Sequence, residues 1–209
     1  MLENFVEFKN NYPIESVCGV DEAGRGPLAG PVTAAAVILK TLNFSICPND
    51  SKKLVPKQRE LLFKEIVQNA LCFKVSVIDP QEIIKTNILR ASLEAMRRSV
   101  KGLKFEPAVI LVDGNQKIPG IENQKTLVRG DSLSVSIACA SILAKVVRDK
   151  IMIRYDKLFP EYDFKSHKGY GTKKHLELIK KYGPCPIHRT TFRGVLQNKT
   201  SKQMEFINV

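Results

Sequence analysis

Apolar positions recur along the chain in two rhythms, one suited to strands and one to helices. Val17 to Asp21 is a short apolar run that ends in an acid, and Pro31 to Leu39 is almost continuously apolar. A run with no polar face suits a strand buried on both sides. Leu71 to Ile78 alternates instead, setting Leu71, Phe73, Val75 and Val77 on one face. Ala108 to Val112 is again continuous and is expected at the sheet centre, and Thr126 to Val128 is a shorter strand.

Helical spacing fills the intervals. Pro56 opens a helix to about Ala70, with Leu61, Leu62, Ile66 and Val67 as its apolar stripe. Asp79, with Glu82 three residues on, starts a helix that runs to about Val100 through Ile83, Ile84, Ile88, Ala91, Ala95 and Met96. Asn87 falls on or near that stripe. A long helix from Ser132 or Val135 to Leu158 begins with small residues, Ser134, Ser136, Ala138, Cys139, Ala140 and Ser141, which let it lie close on a sheet or a site. Thr172 caps a last helix through Tyr182, ended by Gly183-Pro184. Residues 1–16 read as a short helix or arm anchored by Phe5, Val6 and Phe8. Ser166 to Gly171 is a basic, glycine-rich loop, and the chain from Leu196 is a polar, frayed tail.

This order of strands and helices predicts an α/β fold. The 209 residues contain no internal repeat and no Pro/Gly linker, so one catalytic unit over 1–209 is expected, with a helical part at about 160–193 packed on it. The longest purely apolar run, Ala34 to Leu39, is far too short for a membrane span, and no secretory signal is evident. The five cysteines are scattered without zinc-ligand spacing, which fits a reducing cytoplasm; Cys18 and Cys139 read as small core residues. The net charge of +12 points to a polyanionic partner, most simply nucleic acid. Basic pairs recur along the chain, so a basic face or groove is favoured over a disordered arm.

Candidate chemistry gathers at strand ends. Asp21 and Glu22 close the first strand and run into a loop holding Gly24, Arg25, Gly26 and Gly30. Adjacent strand residues face opposite ways, so the two acids share a site only where the strand ends or bends. Asp113 and Asp131 also follow apolar strands and adjoin glycine. Such acids are open to two readings, caps of ordinary turns or ligands of a hard cation such as Mg²⁺ or Mn²⁺. Four carboxylates are enough for a two-metal clamp on a phosphodiester. His175, on a lysine-rich helix, is expected at the surface, and His167 and His188 lie in loops from which a phosphate is within reach.

The block Val20-Asp21-Glu22-Ala23-Gly24-Arg25-Gly26-Pro27-Leu28-Ala29-Gly30-Pro31 resembles the signature of the ribonuclease HII family. Ser51-Lys52-Lys53-Leu54, Val112-Asp113-Gly114 and Gly130-Asp131 resemble later blocks of that family, as do the segments from Ser136 to Lys145, His167 to Thr172 and Gly183 to Arg189. They follow the family order over roughly residues 17–193. The resemblance implies a ribonuclease H-like mixed five-stranded sheet flanked by helices, with a helical C-terminal extension. It implies cleavage of the RNA strand of RNA–DNA hybrids and cleavage at single ribonucleotides in duplex DNA, by a monomeric enzyme with no membrane partner. Carried over by position, Asp21, Glu22, Asp113 and Asp131 are the metal-binding catalytic acids. Gly24, Arg25, Gly26 and Tyr170 are the readers of the ribose 2′-hydroxyl, which distinguishes RNA from DNA. Lys52, Lys145 and Lys168, with Lys53, Arg148 and Arg189, are candidates for phosphate contacts, and Asp149 for pairing with a nearby cation. A binding module without catalysis and a metal nuclease acting on plain DNA are the alternatives.

Overall fold

The computed structural model describes residues 5–48 and 54–196. Five strands form one mixed sheet: β1 (Val17–Ala23), β2 (Val32–Leu39), β3 (Ala70–Ile78), β4 (Val109–Asp113) and β5 (Gln124–Leu127), in the order β3-β2-β1-β4-β5. β1 pairs antiparallel with β2, which pairs antiparallel with β3; β1, β4 and β5 run parallel. The central strand is therefore β1, with β4 beside it rather than in the middle. The C-terminal ends of β1, β4 and β5 face one edge of the sheet, where ligands of open α/β folds bind.

The helices are α1 (Val6–Lys9), α2 (Pro56–Asn69), α3 (Pro80–Lys85), α4 (Ile88–Lys101), α5 (Gly130–Leu133), α6 (Val135–Leu158), α7 (Phe164–His167) and α8 (Lys173–Tyr182). One sheet face packs on α4, through Ala91, Ala95 and Met96 against Val20, Ala34, Ala36 and Ile110. The other packs on α2 and α6, through Leu62, Ile66, Cys139 and Leu143 against Ala35, Val37 and Leu39. Every residue of β2 is buried, as its almost wholly apolar run requires, and its one polar side chain, Thr33, donates its hydroxyl to the Ala144 carbonyl at 3.0 Å. Burying each large aliphatic side chain there contributes about 1.5–3 kcal/mol.

Gly19 in β1 sets how closely the layers approach. A β-carbon there would lie 2.0 Å from the carbonyl carbon of Ser136 in α6. The first turns of α6 thus rest on the backbone of the central strand, which is why that stretch is built of small residues. At the same end of α6, the buried Glu7 accepts hydrogen bonds at Oε1 from the Ser134 hydroxyl at 2.5 Å and the Ser136 N–H at 3.0 Å. A carboxylate suits a helix N-terminus. Glu7, with Phe5 and Val6, anchors the N-terminal arm, whereas Phe8 is exposed.

Three other expectations are corrected. The helix expected from Asp79 to Val100 is two helices, because Asn87 turns out of the helix and its side chain accepts from the Arg90 N–H at 2.9 Å, capping α4. In α2, Leu62 and Ile66 are buried but Leu61 and Val67 point outward. In β3, Leu71, Phe73 and Val77 are exposed while Ser76 and Ile78 are buried, because β3 is the sheet edge and the α2–α6 core reaches only its Ala70 and Val75.

The segment after α6 folds back through Met152, Tyr162, Phe164, Ile179 and Ile187, which pack on Leu28 and Ala29. Its histidines are interior, not exposed: His175 and His188 are buried and His167 is half-buried. The Cys185 N–H donates to His188 Nδ1 at 2.9 Å, which leaves the proton on His188 Nε2. That nitrogen meets His175 Nε2 at 3.0 Å, and His175 Nδ1–H donates to the Tyr170 carbonyl at 2.9 Å. The chain of bonds works only with both rings neutral. Burial holds both imidazoles down to about 4, helped at His175 by the neighbouring His167 and at His188 by His175 and His167.

Two outcomes are expected. Gly19→Ala overpacks the β1–α6 contact at a cost of about 3 kcal/mol or more, read as a melting temperature lower by about 10 °C. For the histidines, the unfolded chain binds protons that the fold refuses between pH 6.5 and about 4, so their contribution is lost as pH falls through that window. Imidazole resonances of His175 and His188 should keep the neutral form at pH 5.5, and titration near 6.5 would contradict the buried wire.

Candidate active site

β1 continues straight through Asp21 and Glu22 to Ala23, so no bend joins the two acids as the sequence suggested. They face opposite sides of the sheet. The Asp21 carboxylate accepts from the Ser141 hydroxyl of α6 and, at 2.6 Å, from the Glu22 N–H. Glu22 turns toward α4 and lines a small cleft of about 30 Å³ with Arg25, Ser92, Met96 and Asp113. Arg25 Nη1 stands 3.4 Å from Glu22 Oε1.

Electrostatics ties the acids together. Burial pushes the Asp21 carboxyl well above the ordinary range, and the charges of Glu22 and then Asp113 push it further. Burial also raises Glu22; Arg25 opposes this and Asp113 adds to it. Asp131 reaches the same edge by another route. Arg129 takes a left-handed conformation after β5, and the Gly130 N–H then donates to Asp113 Oδ1 at 2.6 Å. Asp131, next in the chain, is buried in the first turn of α5.

Among the described residues, no three carboxylate, imidazole or thiolate groups stand together as a preformed metal cage. The donor set nevertheless fits a hard cation: it is all oxygen, and the charges of Asp21, Glu22 and Asp113 repel one another while nothing positive is within ion-pair reach of Asp21 among the described residues.

The glycine loop forms one wall of a slot and Tyr170 the other. Gly24 has φ +102°, and a β-carbon there would strike Arg148. Gly26 differs: a β-carbon would meet only Tyr170 Cε1, at 3.9 Å. Its missing side chain leaves a narrow slot, about the width of one methyl group, between its backbone and the tyrosine ring. Tyr170 is 43% exposed, enough to offer its ring to a ligand. Lys145 Nζ lies 5.6 Å and Arg148 Cζ 5.8 Å from its ring centre. Lys145 also pairs with Asp149 at 2.8 Å, one turn further along the long helix, the pairing with a nearby cation expected of that acid. Lys145, Asp149, Lys150, Lys168 and Tyr170 line a groove of about 350 Å³. Lys168 has its ammonium on the Lys165 carbonyl, and burial lowers its pKa. Lys52 and Lys53, like the tail beyond Leu196, lie outside the described residues. A cavity of about 500 Å³ near Phe105 and Ile121 is at the N-terminal ends of β4 and β5, away from the acids.

Arg148 and Arg189 are not surface phosphate contacts. Both are fully buried and bonded to main-chain carbonyls of the loop. Burial lowers both guanidinium groups, Arg189 to about 9. His188 is likewise sealed from any phosphate. Their roles were missed because a basic residue in a basic chain carries no mark of burial; the one available signal was the position of Arg148 on the inner side of an apolar helix.

The family model for Ribonuclease HII matches residues 18–195. A ribonuclease HII of Caldicellulosiruptor bescii is 48% identical over 194 residues, which span 91% of this chain and 94% of that protein. One of Endomicrobium trichonymphae is 51% identical over 199 residues, spanning 93% and 95%. The crystal structure of the ribonuclease H2 from Pyrococcus horikoshii superposes with a TM-score of 0.71 at 27% identity, covering 86% of this chain and 94% of that one. With an acidic edge on this sheet and these matches along nearly its whole length, the chain belongs to the ribonuclease HII family of metal-dependent endoribonucleases.

Proposed function

We propose that this protein hydrolyses the RNA strand of RNA–DNA hybrids and also cuts duplex DNA at single embedded ribonucleotides, as one catalytic unit and without a membrane partner. Asp21, Glu22, Asp113 and Asp131 hold the divalent ions, two of Mg²⁺ or Mn²⁺. The observation that carries this reading is the Asp21 carboxyl, buried near the end of the central strand beside the like charges of Glu22 and Asp113, a cluster that a bound cation relieves. Bound ions supply Lewis acidity toward the phosphate oxygens and stabilise the charge that develops there. Water adds to phosphorus, the bond to the 3′-oxygen breaks, and the products are a 3′-hydroxyl and a 5′-phosphate.

The remaining residues choose where this happens. The Gly24–Gly26 backbone and the Tyr170 hydroxyl read the ribose 2′-hydroxyl where the two face each other, and the bare backbone of Gly26 lets the edge of the sugar approach closely. Arg25 leaves its long contact with Glu22 for the anionic strand. Lys145 and Lys168, flanking Tyr170, offset phosphate charge, as does Lys52 in its own matching block.

Three labelled duplexes test the reading: all DNA, DNA with one ribonucleotide, and a full RNA–DNA hybrid, each with Mg²⁺, Mn²⁺ or EDTA. Metal-dependent cutting on the 5′ side of the single ribonucleotide, with the all-DNA duplex intact, is expected. Cutting of the long hybrid alone would remove the slot from the account. Asp113→Asn should lower turnover by about 100-fold or more with duplex binding retained. Asp21→Asn should also abolish cleavage, yet raise the melting temperature in EDTA, because it removes a buried carboxyl repelled by its neighbours. Gly26→Ala should leave the melting temperature unchanged, since its methyl meets no main chain, while cutting at single ribonucleotides falls about tenfold or more. An unchanged rate for that variant would argue against a sugar in the slot.

A further inference from the structure

A buried guanidinium is costly unless its charge and donors are satisfied. Arg148 and Arg189 are fully buried, and neither makes an ion pair among the described residues. Each instead spends its planar fork on three main-chain carbonyls. Arg189 donates from Nη2 to Gly24 at 2.6 Å, from Nη1 to Arg25 at 3.0 Å and from Nε to Gly30 at 2.9 Å. It ties the two ends of the glycine loop together. Arg148 donates from Nε to Pro31 at 2.9 Å, from Nη2 to Ala29 at 3.1 Å and from Nη1 to Lys168 at 3.0 Å. It ties the exit of the loop to the segment that carries Tyr170, and its guanidinium lies under the Tyr170 ring.

The surrounding sequence is fitted to these clamps. The β-carbon that Gly24 lacks would lie 2.2 Å from Arg148 Nε, whereas the one that Gly30 lacks would strike Met152 Sδ at 2.2 Å and only touch Arg148 Nη2 at 3.4 Å. Main-chain bonds add to the tie: Leu28 N–H to the Gly169 carbonyl at 2.8 Å, and Arg189 N–H to the Leu28 carbonyl at 2.8 Å. The cost of two unpaired buried cations is met at the one place where two loops must hold a fixed gap.

We propose that Arg148 and Arg189 are positioning residues that set the width of the slot between Gly26 and Tyr170, and thereby how sharply the enzyme distinguishes a ribonucleotide from a deoxyribonucleotide. The proposal rests on the reading of that slot given above. Arg189 shapes the glycine wall and Arg148 holds the tyrosine wall against it. A lysine keeps the charge and most of the stem, but its single ammonium lacks the rigid fork that reaches carbonyls on two segments.

A double-mutant cycle separates positioning from general support. Cutting at a single ribonucleotide is measured for the wild type, Arg148→Lys, Tyr170→Ala and the double variant, with melting temperatures as the control for folding. If Arg148 acts through Tyr170, the two losses overlap: about 10-fold and 30-fold singly, and about 30- to 50-fold together instead of about 300-fold. Losses that multiply in full would overturn the proposal. Should Arg148→Lys fail to fold, the cycle of Arg189→Lys with Gly26→Ala carries the same test on the other wall, with the same two outcomes. The wild type and Tyr170→Ala arms report separately on the slot. A wild type that ignores single ribonucleotides, or a Tyr170→Ala variant with unchanged rate, would overturn the slot and the proposal with it; a real Tyr170 effect that multiplies would overturn the positioning role alone.

Discussion

The direct contact between α6 and the backbone of β1 at Gly19 is the constraint on which the rest depends. It brings the first turns of one helix onto the central strand with no side chain between them. From there the helix delivers its residues in register. Ser136 covers Gly19, Ser141 reaches Asp21, Lys145 and Arg148 flank Tyr170, and Met152 packs beneath the glycine loop. A shift of α6 by even a fraction of a turn would move the support of the acids and of the loop together. Close packing makes such a shift all-or-none rather than gradual.

Two opposed electrostatic arrangements are built on that frame. At the strand ends, carboxylates are collected beyond what mutual repulsion favours, and Asp21 carries most of the cost. Beneath the glycine loop, two guanidinium groups are buried with carbonyls as their partners. Neither arrangement is the best choice for a stable apo fold. Both make sense if the acidic edge is completed by cations and the loop must present a rigid face to a polyanionic duplex. The neutral histidine wire extends the same logic, since it holds the Tyr170 carbonyl in place without adding charge to a region already rich in lysine.

Much of this was legible in the chain. The nearly unbroken apolar run of β2, the caps at Asp79 and Thr172, and the acids at the ends of β1 and β4 and beyond β5 follow from local pattern. The misplacements share one cause. Whether Leu71, Phe73 and Val77 face core or solvent depends on what covers the edge strand, and whether His175 is surface or core depends on what folds over α8. Neither neighbour is adjacent in sequence. The break at Asn87 is a local feature that a continuous apolar stripe concealed.

The sequence by itself determined the elements, the strand-end acids and the residues of the glycine loop, because each depends on periodicity and backbone preference within a few positions. It also carried the family, through blocks spread over most of its length. Only the tertiary structure decided which cations are working surface and which are interior scaffold. Lys145 and Arg148 stand three residues apart on one helix, yet the first opens on a groove and the second is sealed under the loop. That difference comes from the packing of the 24–31, 167–170 and 187–189 segments against one another, long-range contacts that no local pattern encodes.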